Sequence, residues 1–234
     1  MQRYIKNHNT ITPQENEKLG SCSVCVAGCG GLGGYIIEML GRIGVGCITA
    51  VDGDVFEESN LNRQLLSDMD SLGKSKALCA KQRMSVVNPL IEVLPVVERV
   101  GRDNGIQILR GHDVIIDALD NPESKLLLQD FAEELNIPMI HGAIAGWYGQ
   151  VAVIYPGDRT LDIIYAGKNK KGVEKELGNP PFTPANIAAI EVSETIKLLL
   201  GKDGLLRKKM LLINLLELEF NVVDLTSVNT PILL

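Results

Sequence analysis

Between positions 28 and 33 the chain reads Gly28-Cys29-Gly30-Gly31-Leu32-Gly33, a G-x-G-x-x-G run that follows the apolar stretch Cys22 to Ala27 and opens a helical pattern. In that context the glycines let backbone N–H groups and a helix N-terminus approach phosphate, where a Cβ would hold the chain away. Asp52 ends the next apolar run, where an acidic side chain would accept hydrogen bonds from ribose hydroxyls. These features point to a nucleotide and leave its identity open; alone they favour a dinucleotide oxidoreductase. The next segment, Ser59-Asn60-Leu61-Asn62-Arg63-Gln64, brings amides and an arginine one short loop beyond the ribose position, and Gly73-Lys74-Ser75-Lys76 adds two ammonium groups. Paired phosphates need few cations, whereas a triphosphate needs several. Asp120-Asn121 offers a carboxylate just beyond another apolar run, where a hard oxygen ligand suits Mg²⁺. Singly, Arg63 and Lys76 could be solvated surface charges and Asp120 a helix N-cap ahead of Pro122. In their joint order they read as a site for ATP with magnesium.

Positioning these residues requires alternating strands and helices. Cys22 to Ala27 reads as a strand buried on both sides. Leu32, Ile36, Ile37, Leu40 and Ile43 recur at helical spacing until Gly44 to Gly46 stops them, and Ile48 to Val51 reads as the second strand. Further on, Lys76 to Val87 looks helical, Ile91 to Val97 extended, Asn104 to Leu109 helical and Val114 to Ala118 a buried strand. A helix over Pro122 to Leu135 and a strand over Met139 to Ala143 continue the alternation, which implies crossover units and a mostly parallel, doubly wound α/β sheet of the Rossmann kind. After Gly146 the pattern changes. Gly149 to Pro156 alternates as a strand in an antiparallel portion would, Gly157 to Pro184 has no clear period and reads as a functional or mobile loop, and Ile187 to Leu200 is an amphipathic helix. Met210 to Leu215 and Glu217 to Val223 look like a closing strand pair. The chain reads as a single domain: an N-terminal helical arm over residues 1–20, a nucleotide-binding half over 21–145, a second half over 146–225 and a tail over 226–234.

Composition narrows the function classes. A net charge of -6 over 234 residues argues against a chain that tracks nucleic-acid phosphates. Met1 to Thr10 holds no apolar run for a signal peptide, and Met210 to Phe220 is broken by Glu217 and Glu219, so a cytoplasmic protein without a membrane span is expected. All five cysteines, at 22, 25, 29, 47 and 79, fall in the first third, which makes free thiols the expectation. Cys22 and Cys25 form one CxxC with no second pair to complete a zinc site, and three residues apart on a strand they face opposite ways. Cys29 lies where a helix N-terminus would lower its pKa, though it reads first as a spacer in the loop. His8, His112 and His141 show no partner spacing for a metal or triad and read as surface or satisfied residues.

The order GxGGLG, Asp52-x-Asp54 with SNLNRQ, Gly73-Lys-Ser-Lys76-Ala77 and Asp120-Asn121 resembles the ThiF/MoeB/HesA family, related to the ubiquitin-activating enzymes, from about Arg3 to about Leu225. The resemblance implies an ATP-dependent adenylyltransferase acting on the C-terminal glycine of a small ubiquitin-like sulfur-carrier protein that ends in Gly-Gly. It assigns nucleotide binding to Gly28, Gly30, Gly31, Gly33, Asp52 and Gln64, phosphates to Asn60, Arg63 and Lys76, and metal to Asp120 beside Asn121. The second half, residues 146–225, becomes the carrier-binding half. Arg3-Tyr4-Ile5-Lys6-Asn7 is similar to the family's N-terminal segment whose second basic residue reaches the phosphates of a neighbouring subunit, so a homodimer sharing Lys6 is implied. The chain departs from many members in having no second-half CxxC pairs, so no zinc is expected. It also has no cysteine between Gly157 and Pro184, so the reaction should stop at the adenylate and leave sulfur transfer to a separate donor. Other readings are a related enzyme that adenylates a tRNA-borne carboxylate, a NAD-dependent oxidoreductase, and a non-catalytic partner subunit that keeps the fold.

Overall fold

The computed structural model describes residues 2–165 and 177–226, and the expectations for 166–176 and the tail beyond Thr226 lie outside them. Strands β1 (Ser23–Ala27), β2 (Cys47–Val51), β3 (Glu92–Val96), β4 (Val114–Asp117), β5 (Met139–Ala145), β6 (Tyr148–Ile154), β7 (Lys209–Asn214) and β8 (Glu219–Asp224) form one sheet in the order β3-β2-β1-β4-β5-β6-β7-β8. Pairing is parallel from β3 through β5 and antiparallel from β5 through β8. The doubly wound fold with an antiparallel extension expected from the sequence is therefore the fold observed.

Between the strands lie α1 (Pro13–Gly20), α2 (Gly31–Ile43), α3 (Lys76–Val87), α4 (Gly105–Leu109), α5 (Pro122–Glu134), α6 (Thr160–Tyr165) and α7 (Phe182–Leu200). Period-2 alternation sorts the strand residues into two cores. Val24, Val26, Ile48 and Ala50 pack with Ile36, Ile37 and Leu40 of α2, Met84 of α3 and Ile187 of α7. Cys25, Ala27, Ile115 and Met139 pack on the opposite face with Leu128 and Phe131 of α5 and Leu161 of α6. Cys22 and Cys25 thus fall in different cores, as the strand geometry requires. Among the described residues no helix is long and apolar enough to cross a membrane.

Two expectations need revision. The stretch from Gly157 to Pro184 is not all irregular: α6 occupies Thr160–Tyr165, and α7 begins at Phe182, five residues earlier than its apolar period suggested. Pro184 is no obstacle there, because N–H groups in the first helical turn lack an intrahelical acceptor anyway. At the N-terminus, Arg3 Nη1 donates to the Val87 carbonyl at 2.6 Å and Asn88 Nδ2 donates to the Tyr4 hydroxyl at 2.8 Å, while the Tyr4 ring lies against Gly44. The arm is fastened to the C-terminal ends of α2 and α3.

Candidate nucleotide site

The carboxyl ends of the parallel strands enclose a cavity of about 320 Å³. Its floor is the turn from β1 into α2. Gly28 has φ +101°, a region that L side chains avoid, and a Cβ there would stand 2.6 Å from the Ala118 carbonyl oxygen. A Cβ on Gly33 would stand 1.8 Å from the Gly28 carbonyl oxygen, so Gly33 admits close helix packing and does not itself line the cavity. Gly30 caps α2 without any side-chain hydrogen bond, and Gly30 and Gly31 line the cavity at that helix end. The backbone there is open to an anion.

Asp52 directly follows β2 and lines the same cavity. Its Oδ2 accepts the Cys29 N–H and its Oδ1 the Asp54 N–H, each at 2.8 Å. A carboxylate has about four acceptor positions, so one backbone bond per oxygen leaves capacity for hydroxyl donors. Arg63 and Gln64 close over the loop, with Arg63 Nε 3.8 Å from where a Gly31 Cβ would lie and Gln64 Nε2 3.6 Å from the equivalent point on Gly30. Arg63 is held by the Ser59 carbonyl at 3.1 Å and Asn62 Oδ1 at 2.8 Å. Gln64 is buried, yet its Oε1 has no hydrogen-bond partner. A buried orphan acceptor at a cavity wall is a place for a ligand donor.

Lys76 opens α3 and reaches the cavity with its amine 3.7 Å from Asp54 Oδ2. Asp54 also takes Arg99 at 2.7 Å, and that guanidinium, ahead of Lys76, holds the Asp54 carboxyl below the usual range despite partial burial. Asp120 and Asn121 follow β4 on the far wall. The helix cap there is Asn121, whose Oδ1 accepts the Ser124 N–H at 2.8 Å, so Asp120 is not used as the N-cap and presents its carboxylate to the cavity. Mg²⁺ is commonly bound by one or two carboxylates plus substrate phosphates, and Asp120, on the wall of a cavity that Lys76 and Arg63 also line, offers one such carboxylate. Among the described residues, no three His, Cys, Asp or Glu side chains gather as a metal cage.

Three further residues singled out in the sequence do not line this cavity. Asn60 does not line the cavity: its Oδ1 accepts the Glu57 N–H at 3.0 Å inside the 3₁₀ turn Glu58–Asn60, so it shapes the loop that presents Arg63. Cys29 is fully buried beside Asp52, and burial, with that carboxylate second, pushes its thiol well above its ordinary range; desolvation outweighs the helix terminus. Lys6 is exposed on the fastened arm and does not line the cavity of its own chain.

The sequence reading missed Arg99, just past β3, and Asn179, whose carbonyl accepts from Asn62 Nδ2 at 3.2 Å and whose Oδ1 is buried without a partner. Position after a strand end signalled the first, and only the fold brings the second, from the approach to α7, to the nucleotide half. His141, read as a surface or satisfied residue, is satisfied by Asp117, an acidic residue whose place in an apolar strand is itself a visible anomaly in the sequence.

The ThiF family model matches residues 2–231. The SAMP-activating enzyme E1 of Haloferax volcanii is 32% identical over 216 residues, covering 91% of this chain and 80% of that protein. The sulfur carrier protein adenylyltransferase of Thermus thermophilus is 34% identical over 219 residues, covering 90% and 81%. Among solved structures, E. coli MccB with ATP superimposes with a TM-score of 0.78 at 20% identity, over 95% of this chain and 70% of that one, which is a likeness of fold. With a family match from end to end and relatives a third identical over most of both lengths, this chain belongs to the ThiF family.

Proposed function

We propose that this chain is a cytoplasmic adenylyltransferase that uses ATP to activate the C-terminal glycine carboxylate of a small ubiquitin-like sulfur-carrier protein. Pyrophosphate is released, and the acyl-adenylate passes to a separate sulfur donor. One observation carries the reading: a single cavity joins the side-chain-free end of α2 and Asp52 to Arg63, Lys76 and Asp120. The names of the Haloferax and Thermus relatives support the same class. A dinucleotide oxidoreductase would leave those cations and Asp120 without a task.

A C-terminal carboxyl, with pKa about 3.5, is ionised at neutral pH, so no general base is needed. What the protein must do is hold two anions together while a carboxylate oxygen attacks the α-phosphorus and the bond to the bridging oxygen breaks. Asp52 accepts the ribose hydroxyls, and the backbone at Gly30 and Gly31 meets phosphate. Lys76, loosely paired with Asp54, is positioned to turn toward the phosphates, and Arg63 meets them beside Gly31 at the glycine loop. Their fixed charges offset the negative charge that grows as pyrophosphate leaves. Asp120 would hold Mg²⁺, which supplies Lewis-acid polarisation of the phosphoryl oxygens.

The reading includes a homodimer. Tyr4 packs at the C-terminal end of α2 and the glycine loop lies at its N-terminal end, 13 residues away, or about 20 Å along a helix. Lys6, two residues beyond Tyr4, serves the cavity of another copy.

The test is exchange of labelled pyrophosphate into ATP, expected to require Mg²⁺ and a carrier with an intact C-terminal glycine. Equal exchange with a truncated carrier would sink the proposal. For Lys6, a mixed dimer of Lys6→Ala with Asp120→Ala, each strongly impaired alone, should recover one working site, and a mixed dimer as impaired as its parents would remove the sharing.

A further inference from the structure

Beneath the cavity, on the face covered by α5 and α6, a buried polar cluster converges on one carboxylate. Lys125 Nζ lies 3.2 and 3.1 Å from the two Asp117 oxygens and donates to the Gly142 carbonyl at 2.8 Å. His141 Nδ1 lies 2.7 Å from Asp117 Oδ2, and Gln150 Nε2 lies 3.0 Å from His141 Nε2. An amide nitrogen only donates, so His141 Nε2 is the bare nitrogen and its Nδ1–H donates to Asp117. The Leu119 N–H completes the set at 3.1 Å from Oδ1. Asp117, Lys125, His141 and Gln150 are all nearly or wholly inaccessible.

A buried ion pair of this kind is weak support for stability, because apolar residues of similar volume often do as well. Its geometric effect is more specific. It ties β4, α5 and β5 together at one point, directly before the Ala118–Asn121 turn and directly before Ala143 and Ile144, which line the cavity. The Leu119 N–H to Asp117 bond, spanning two residues, sets the direction in which the chain enters Asp120. Among the described residues Asp120 takes a hydrogen bond only from its neighbour Asn121, at 3.2 Å. Its position is inherited from the turn.

We propose that Asp117 and Lys125 are positioning residues that fix the metal-bearing Asp120 carboxylate in the cavity, acting through the Leu119 N–H and the Gly142 carbonyl. This rests on the reading of Asp120 given under Proposed function. Such outer partners of a metal ligand act on affinity through orientation, with no contact to the ion.

The test uses the whole protein, Mn²⁺ as the metal probe and a non-hydrolysable ATP analogue. Asp117→Asn, Lys125→Met and the paired Asp117→Asn/Lys125→Met variant are compared with wild type. Mn²⁺ binding to the protein–nucleotide complex, read by paramagnetic resonance, is expected to weaken about tenfold or more in each. Metal-free nucleotide affinity, insensitive to Asp120, stays within about threefold. The paired variant leaves no lone buried charge, keeps its unfolding midpoint within a few degrees, and still shows the Mn²⁺ loss. Added to Asp120→Ala, the Asp117→Asn change lowers pyrophosphate exchange by less than about twofold, because its route runs through the missing carboxylate. Wild-type Mn²⁺ affinity in the folded paired variant, or full additivity with Asp120→Ala, overturns the inference alone. A wild-type protein that binds no Mn²⁺ with nucleotide overturns the functional reading and this inference with it.

Discussion

The cavity and the cluster beneath it are both polar, and they use their hydrogen-bonding capacity in opposite ways. In the cavity, capacity is left over: Gln64 Oε1 has no partner, each Asp52 oxygen holds one backbone N–H, and Lys76 stands 3.7 Å from its nearest carboxylate. Below it, Asp117 accepts from Lys125, His141 and the Leu119 N–H, and nothing on that carboxylate remains to be satisfied. Spare capacity at a solvent-reachable wall suits groups that wait for a ligand, and saturation in a dry core suits groups that hold a shape. Glu191 of α7 breaks the second pattern. It is wholly buried against Gly142 on the other face of β5, neither carboxyl oxygen has a hydrogen-bond partner, and burial pushes its pKa well above the ordinary carboxyl range.

The contrast can be broken most sharply in the core. Lys125→Met leaves Asp117 as a buried charge without its cation, and should cost about 3–5 kcal/mol of unfolding free energy in urea titration. Removing Arg207, half-exposed in its pair with Asp158, should cost distinctly less, because the Asp158 carboxylate keeps the Tyr155 N–H. Equal costs would mean the cluster is not the tightly coupled unit its geometry describes.

On the cavity side, Asp120→Ala and Arg63→Ala should each lower turnover in pyrophosphate exchange about 100-fold or more, roughly 2.7 kcal/mol, while ATP affinity falls far less. Weakened binding at unchanged turnover would place both residues in ground-state binding only.

Glu191 sharpens the core half of the comparison through pH. A carboxyl with a raised folded pKa contributes stability that is fully present below its unfolded value near 4.5 and is lost as pH rises toward the folded value. Glu191→Gln mimics the protonated form, so it should match wild type near pH 4 and become the more stable of the two as pH rises to 8. The gap should grow by no more than about 1.4 kcal/mol per pH unit. Parallel stability curves would show that Glu191 ionises alike in folded and unfolded chains.

The smallest effect is expected at Cys29, buried and held protonated beside Asp52. Cys29→Ala should leave adenylate formation within about tenfold. A thioester-linked carrier trapped on this residue without reductant would contradict it.

Much of this protein is legible in local sequence. The helical spacing of Leu32, Ile36, Ile37 and Leu40, the glycines around them and the acidic ends of short apolar runs are short-range features, and the elements they dictate lie within a few residues of where spacing puts them. Because strands alternate with helices, their carboxyl ends must share one edge, so Asp52, Arg63, Lys76 and Asp120 could be expected near one another before any coordinate was known. What the tertiary structure alone decided is environment. Asn60 turns inward to hold its own loop while Arg63, three residues on, faces the cavity. Cys29 meets burial and a carboxylate from another strand, which outweigh the helix end beside it. Asp117, Lys125, His141 and Gln150 come from four elements, and Asn179, from the approach to α7, meets Asn62 across 117 residues of chain. No spacing rule relates such residues. Desolvation and hydrogen bonding depend on which atoms pack within a few ångströms, and that is set by how the layers close, not by distance along the chain.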